Sequence, residues 1–135
     1  MEICIKHTDY CIGNASISNI INLENVETLE PIYKKIFIGD ILNFLELDEI
    51  IPTLIKIKTK LLSNGTLIIE AFDTYEVCLG LTMDLLDVAG FNNIIKPRKQ
   101  LFTLPDMVDI LNKSGLRIIS KDIDNYKHYI EVQNG

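Results

Sequence analysis

The stretch YKKIFIGDILNFLELDEIIPTLIKIKTKLLSNGTLIIEAFD, Tyr33 to Asp73, contains two kinds of apolar pattern side by side. Tyr33 to Ile41 groups Ile36, Phe37 and Ile38, the continuous run expected of a strand covered on both faces. Beyond it the spacing changes. Ile50, Leu54, Ile57 and Leu61 recur at i, i+4, i+7 and i+11, which draws one stripe along a helix. Asp48 is the predicted N-cap, Pro52 falls in the first turn, and Gly65 stands as the stop just past the end. Lys56, Lys58 and Lys60 read as a solvated face with packed stems. Thr66 to Phe72 (TLIIEAF) then reads as a buried central strand. Strand, helix, buried strand is the unit from which open α/β sheets are built.

On the carboxyl side, Asp73 is placed to cap a helix carrying Val77, Cys78, Leu81, Leu85 and Val88, with Gly90 as its stop. Phe91 to Phe102 reads as irregular. Thr103 with Asp106 three residues on forms a shortened capping box for a further helix, whose apolar face is Met107, Val108, Ile110 and Leu111, and Gly115 ends it. Leu116 to Ile123 and Tyr129 to Gln133 form an antiparallel hairpin around Asp124-Asn125-Tyr126. On the amino side, Met1 to Lys6 is a first strand, His7 to Asn19 a polar loop, and Ile20 to Leu23 a second strand. No repeat or linker divides the chain, so residues 1–135 are expected to form a single domain.

The composition narrows the function classes. Hydrophobic residues are 47% and charged residues 24%, as in ordinary folded proteins. The formal net charge of −6 argues against nucleic acid as a partner. No apolar run reaches membrane-span length, and Met1 to Lys6 lacks the order of a signal peptide, so a cytoplasmic protein is expected. Cys4, Cys11 and Cys78 are widely spaced and, with only His7 and His128, complete no zinc set, so no metal is expected.

Two segments together resemble the class I S-adenosylmethionine-dependent methyltransferases. Tyr33 to Asp73 is similar to that family's fourth strand, following helix and fifth strand, with Leu61-Leu62-Ser63-Asn64-Gly65-Thr66-Leu67 at its leucine-rich, glycine-containing turn. KQLFTLPDMVDILNKSGLRIIS, Lys99 to Ser120, is similar to the family's late helix and sixth strand, and the final hairpin fits its antiparallel seventh strand. The resemblance implies a Rossmann-like, mainly parallel open sheet with a C-terminal antiparallel hairpin. It also implies S-adenosylmethionine as cofactor, held at a glycine-rich turn after the first strand.

That turn departs from the family's pattern. The alignment puts Lys6-His7-Thr8-Asp9 there, and Gly13 is the one glycine before Gly39. Lys6 and Thr8 stand where close backbone approach requires glycine, and a lysine brings positive charge toward a cationic sulfonium. Only residues 7–19 separate the first two strands, against roughly 30 residues for a complete βαβ unit, so the first crossover helix is expected to be truncated. Ile21-Asn22-Leu23-Glu24 is similar to the family segment whose acid binds the ribose hydroxyls, which makes Glu24 a cofactor-binding candidate or else a plain loop carboxylate. Lys34, Asn43 and Phe44 replace the acid, Glu and His of a further family pattern.

The catalytic candidates are Asp40, at the carboxyl end of a presumed central strand, and His7, with Asp9 near it as an orienting carboxylate. Asp40 has turn capping as its structural alternative. Asp73 and Arg98 are the substrate-binding candidates, with helix capping and ordinary loop charge as theirs. The expected function is that of a degenerate methyltransferase-fold protein, a pseudoenzyme acting by partner or ligand binding. The alternative is an active methyltransferase with an altered cofactor pocket and an unknown small-molecule or protein acceptor. A sheet lacking one covering helix exposes apolar surface, so a homo-oligomer or a companion methyltransferase subunit is the expected partner.

Overall fold

The computed structural model describes residues 2–6, 20–22 and 33–134. Six strands form one sheet: β1 (Glu2–Lys6), β2 (Ile20–Asn22), β3 (Tyr33–Gly39), β4 (Leu61–Phe72), β5 (Leu116–Asp124) and β6 (Lys127–Asn134). Their order across the sheet is β2-β1-β3-β4-β6-β5. The β2–β1, β1–β3 and β3–β4 pairs are parallel, whereas β6 runs antiparallel to both β4 and β5. Five strands therefore point one way and one points back. This is a Rossmann-like open sheet closed by an antiparallel hairpin; the expected truncation of the first crossover helix falls on residues 7–19, outside the described residues.

The helices are α1 (Leu47–Lys58), α2 (Thr74–Thr82), α3 (Val88–Ile95) and α4 (Leu104–Lys113), with a 3-10 turn at Ile41–Phe44. One sheet face is buried beneath α1 and α4. Ile36 and Ile38 of β3, Leu67, Ile69 and Ala71 of β4, and Ile130 and Val132 of β6 meet Ile50, Leu54 and Ile57 of α1 and Met107 and Leu111 of α4 in one core. The alternate residues, among them Lys35, Phe37, Ile68, Glu70, Tyr129 and Glu131, take the opposite face and remain half-buried. No described helix is long and apolar enough to cross a membrane.

Three expectations about the helices need correction. The first helix is capped two residues earlier than expected: Glu46, not Asp48, is its N-cap, and the Glu49 carboxylate accepts a bond from the Glu46 N–H. It ends at Lys58, so Gly65 is no helix stop but lies inside β4. There the β3–β4 register jumps from Tyr33↔Leu61 to Lys35↔Thr66, and residues 62–65 bulge out of the ladder. A Cβ at Gly65 would stand 3.0 Å from the carbonyl oxygens of both Leu62 and Tyr33 and 3.1 Å from that of Lys34. Glycine is required because backbone passes close to backbone. Gly65→Ala should therefore cost about 1–3 kcal/mol, an overpacking penalty readable in urea melts, where an exposed loop glycine would cost nothing.

The predicted helix from Asp73 to Gly90 is two helices. Asp84 takes a left-handed conformation (φ 58°) in the break, and Asp87 starts α3 afresh by accepting a bond from the Gly90 N–H at 2.7 Å. Gly90 is thus the third residue of a helix, not its end, and the segment expected to be irregular from Phe91 onward is helical to Ile95. Pro97 stops it there. Elsewhere the local signals were sufficient. Asp73 caps α2, Thr103 caps α4, and Asn125 and Tyr126, at φ 50° and 68°, make the two-residue turn between β5 and β6.

Candidate functional site

The sheet order fixes where a ligand site belongs. The chain moves outward from β1 to β2, then crosses back to β3 on the other side of β1. The carboxyl ends of β1 and β3 therefore flank a topological switch point, the usual place for a crevice in an open α/β sheet. Lys6 ends β1, Gly39 ends β3, and Asp40 follows directly. Gly39 has φ 54°, which turns the chain sharply out of the sheet and aims Asp40 along its upper edge.

Asp40 does not cap the following turn through its side chain. Its Oδ2 instead accepts a bond from Arg98 at 2.7 Å, an ion pair whose side chains are only 18% and 13% exposed. The guanidinium lies 4.3 Å from the Phe72 ring centre and 5.0 Å from that of Phe44. Its Nη1 donates to the Ile94 carbonyl at 2.8 Å, which places a cation on the last turn of α3. Flat and delocalised, arginine satisfies two rings and two acceptors at once. The Nε of Arg98 is buried without a hydrogen-bond partner.

Asn43, fully buried in the 3-10 turn, ties this edge together. Its side-chain oxygen accepts from the Phe72 N–H and its amide donates to the Gln100 carbonyl, while its own carbonyl accepts from Lys99 and Gln100. The chain carrying Arg98 is thus fastened over the ends of β3 and β4. Two candidates that lie far apart in sequence, Asp40 and Arg98, are brought into one contact; Lys99 beside them pairs with Glu46 at the surface.

Asp73, at the carboxyl end of β4, is 2% exposed and serves as the N-cap of α2, accepting from the Glu76 N–H at 2.9 Å. Its other oxygen lies 3.4 Å from Nδ1 of His128, a fully buried residue of β6 that the sequence reading passed over. A carboxylate only accepts, so the imidazole proton belongs on Nδ1, leaving Nε2 a buried acceptor with no partner. Burial pushes the His128 pKa below its ordinary value, and Asp73 opposes that shift only in part. The signal for His128 in the sequence was faint: it shares the alternating face of Ile130 and Val132. Beside Asp73 is a hollow of about 330 Å³ walled by Tyr75, Glu76, Thr103, Leu104, Pro105 and Ile123. A second hollow, about 370 Å³, lies between α1 and α4, and Asp40, Asp73 and Arg98 do not line it.

Of the remaining predicted residues, Lys6 is placed only as the last residue of β1. His7, Thr8 and Glu24 lie outside the described residues. No group of three or more metal-binding side chains occurs among the described residues. At the end of β3 the Asp40–Arg98 pair occupies the switch point, and β1 ends in Lys6 with His7 next in sequence.

No protein-family model matches the sequence, and no curated protein matches it as a relative. Solved structures do match the fold. The mitomycin 7-O-methyltransferase MmcR superposes with a TM-score of 0.63 at 17% identity, over 87% of this chain and 34% of its own. PigF, solved with SAH, gives 0.60 at 11% identity over 87% and 39%. A SAM-dependent methyltransferase from Thermotoga maritima, described as a possible histamine N-methyltransferase, gives 0.59 at 14% identity over 87% and 64%. The chain spans about a third of MmcR and under two thirds of each of the other two. At these identities the shared property is the fold, and the fold is that of the class I methyltransferases.

Proposed function

We propose that this methyltransferase-fold chain is a degenerate member of its fold class that acts by binding and does not itself transfer methyl groups. The observation that carries the reading is the 2.7 Å contact between Asp40 and Arg98 at the switch point. A general base must reach the acceptor's proton within hydrogen-bond distance. Here an oxygen of the best-placed carboxylate is already engaged by a guanidinium held between two rings. Asp73, the next carboxylate along the edge, is likewise engaged as a helix cap. Neither is poised to take a proton. Asp40 and Arg98 engage each other at the end of β3, and the sequence carries Lys6 and His7 where the resembling family has glycine.

Calorimetric titration with S-adenosylmethionine and with S-adenosylhomocysteine tests this reading. Neither should bind more tightly than millimolar, and no thermal stabilisation should follow at the highest soluble concentrations. PigF, similar in fold, was solved with SAH, and this motivates the opposite outcome. Micromolar binding of either nucleoside would overturn the degenerate reading in favour of an active methyltransferase with an altered pocket.

A further inference from the structure

Apart from Arg98, the Ile94 carbonyl that it bonds and Lys99, the segment from Asp84 to Lys99 takes no part in the site described above, and its surface is unusual. No residue of α3 is buried, although the helix reads VAGFNNII and carries no charge along its length. Leu85 is 72% exposed, Val88 66% and Met83 58%. Val88 with Ala89, Asn92 and Lys96 follow one another at i, i+1, i+4 and i+8 within α3 and its C-cap, so they lie along one line of the helix, with exposed Leu85 in the turn before it. Ala89 and Lys96 are exposed and Asn92 is half-exposed, so this line faces outward. An outward apolar line is ordinarily an interaction surface.

The charges at its two ends say what fits it. Asp84 and Asp87 stand at the amino end, Lys96 at the carboxyl end, and none of the three has an ion-pair partner among the described residues. We infer that α3 pairs antiparallel with α3 of a second copy of this chain, about a two-fold axis at Asn92. In that arrangement Lys96 of each copy lies over Val88 of the other, its stem on the apolar side chain and its ammonium toward Asp84 and Asp87. The two Asn92 amides meet at the centre, where they can bond to each other, and Ala89 keeps the approach close. A surface that carries its own complement end for end satisfies the requirement of an isologous contact, where residue i meets j and j meets i. A lipid surface is the poorer occupant, because anionic headgroups repel a chain of formal net charge −6.

Sedimentation velocity of the full chain from micromolar to millimolar concentration should show a monomer–dimer equilibrium. Val88→Glu and Lys96→Glu should each weaken it by about tenfold or more, the second by setting like charges together. Both side chains are exposed, so neither variant should change the circular dichroism or the melting temperature of the dilute monomer. In a background in which all three cysteines, Cys4, Cys11 and Cys78, are replaced by serine, a short bismaleimide should link Asn92→Cys between copies and should fail to link Asp109→Cys on α4. A monomer at every concentration overturns the inference. So does a dimer indifferent to both glutamate variants, in which Asn92→Cys links no better than Asp109→Cys.

Discussion

Asp40→Ala should lower the unfolding free energy by about 3 kcal/mol, because it leaves a guanidinium stacked on two rings with no counter-charge. In a chain of this length that corresponds to a fall of roughly 10 °C in melting temperature. The pair is mostly shielded, with Arg98 13% and Asp40 18% exposed, so the loss far exceeds the 0–1 kcal/mol typical of a solvent-screened surface bridge. Lys99–Glu46, more than half exposed on both sides, supplies that comparison within the same protein. Arg98→Lys should not preserve stability. A compact ammonium cannot cover Phe44 and Phe72 while donating to both Asp40 and the Ile94 carbonyl. Replacing both partners, Asp40→Leu with Arg98→Met, should recover most of the loss, since two apolar groups of similar volume leave no stranded charge. Urea melts of wild type, Asp40→Leu, Arg98→Met and the double variant give the coupling directly. An Asp40→Ala variant within half a kcal/mol of wild type, as an order of magnitude, would mean that water reaches the guanidinium. The crevice would then be open, and the case for a filled site would fail with it.

The extent to which this edge was legible in the sequence follows from what each signal measures. β3 and β4 were readable because a strand buried on one face and half-covered on the other needs an almost unbroken apolar run, and Ile36 to Ile38 and Leu67 to Ile69 supply it. The hairpin was readable because turn chemistry is local. Gly65 was misread for the same reason: a glycine after a helical stripe has the same local appearance whether it ends the helix or admits a neighbouring strand's carbonyls. Only the β3 register distinguishes the two. The run Leu81, Leu85, Val88 was misread because periodicity presumes one continuous helix, and the break at Asp84 puts these residues in α2, the turn and α3. Here Leu85 and Val88 point out. The site shows the same division. Asp40, Asp73 and Arg98 were each visible as charges at strand ends or in the edge loop, but the fusion of Asp40 with Arg98 depends on Asn43 drawing residues 99–100 over the sheet. His128 left only a polar gap in an apolar alternation, and its meaning came from Asp73, which approaches from another element.

The other large effect is a pH dependence centred on His128. This side chain is fully buried, its pKa is lowered chiefly by desolvation, and Asp73 compensates in part. In the unfolded chain the same imidazole titrates near its ordinary value of 6.5. Above that value both states hold a neutral ring and His128 contributes no slope. As pH falls below 6.5 the unfolded state takes up a proton that the folded state refuses, so stability declines by up to about 1.4 kcal/mol per pH unit. The decline continues until the lowered folded pKa is reached. Carboxylates titrate in the lower part of the same window, so the informative quantity is the difference between wild type and His128→Asn. An asparagine amide can still donate toward Asp73 but cannot ionise. Wild type should lose stability relative to His128→Asn steadily from about pH 6.5 downward, and the two should run parallel above it. Parallel curves throughout would place a hydrated, freely titrating imidazole at this position. Asp73→Ala should be costlier than either at neutral pH, by about 2–4 kcal/mol, since it removes the α2 cap and the one bond of a buried ring. Because α2 starts at Asp73 and α3 is fastened through Arg98, loss of either contact should show first as faster amide exchange in Thr74–Ile95, before the β4–β6 ladder loosens.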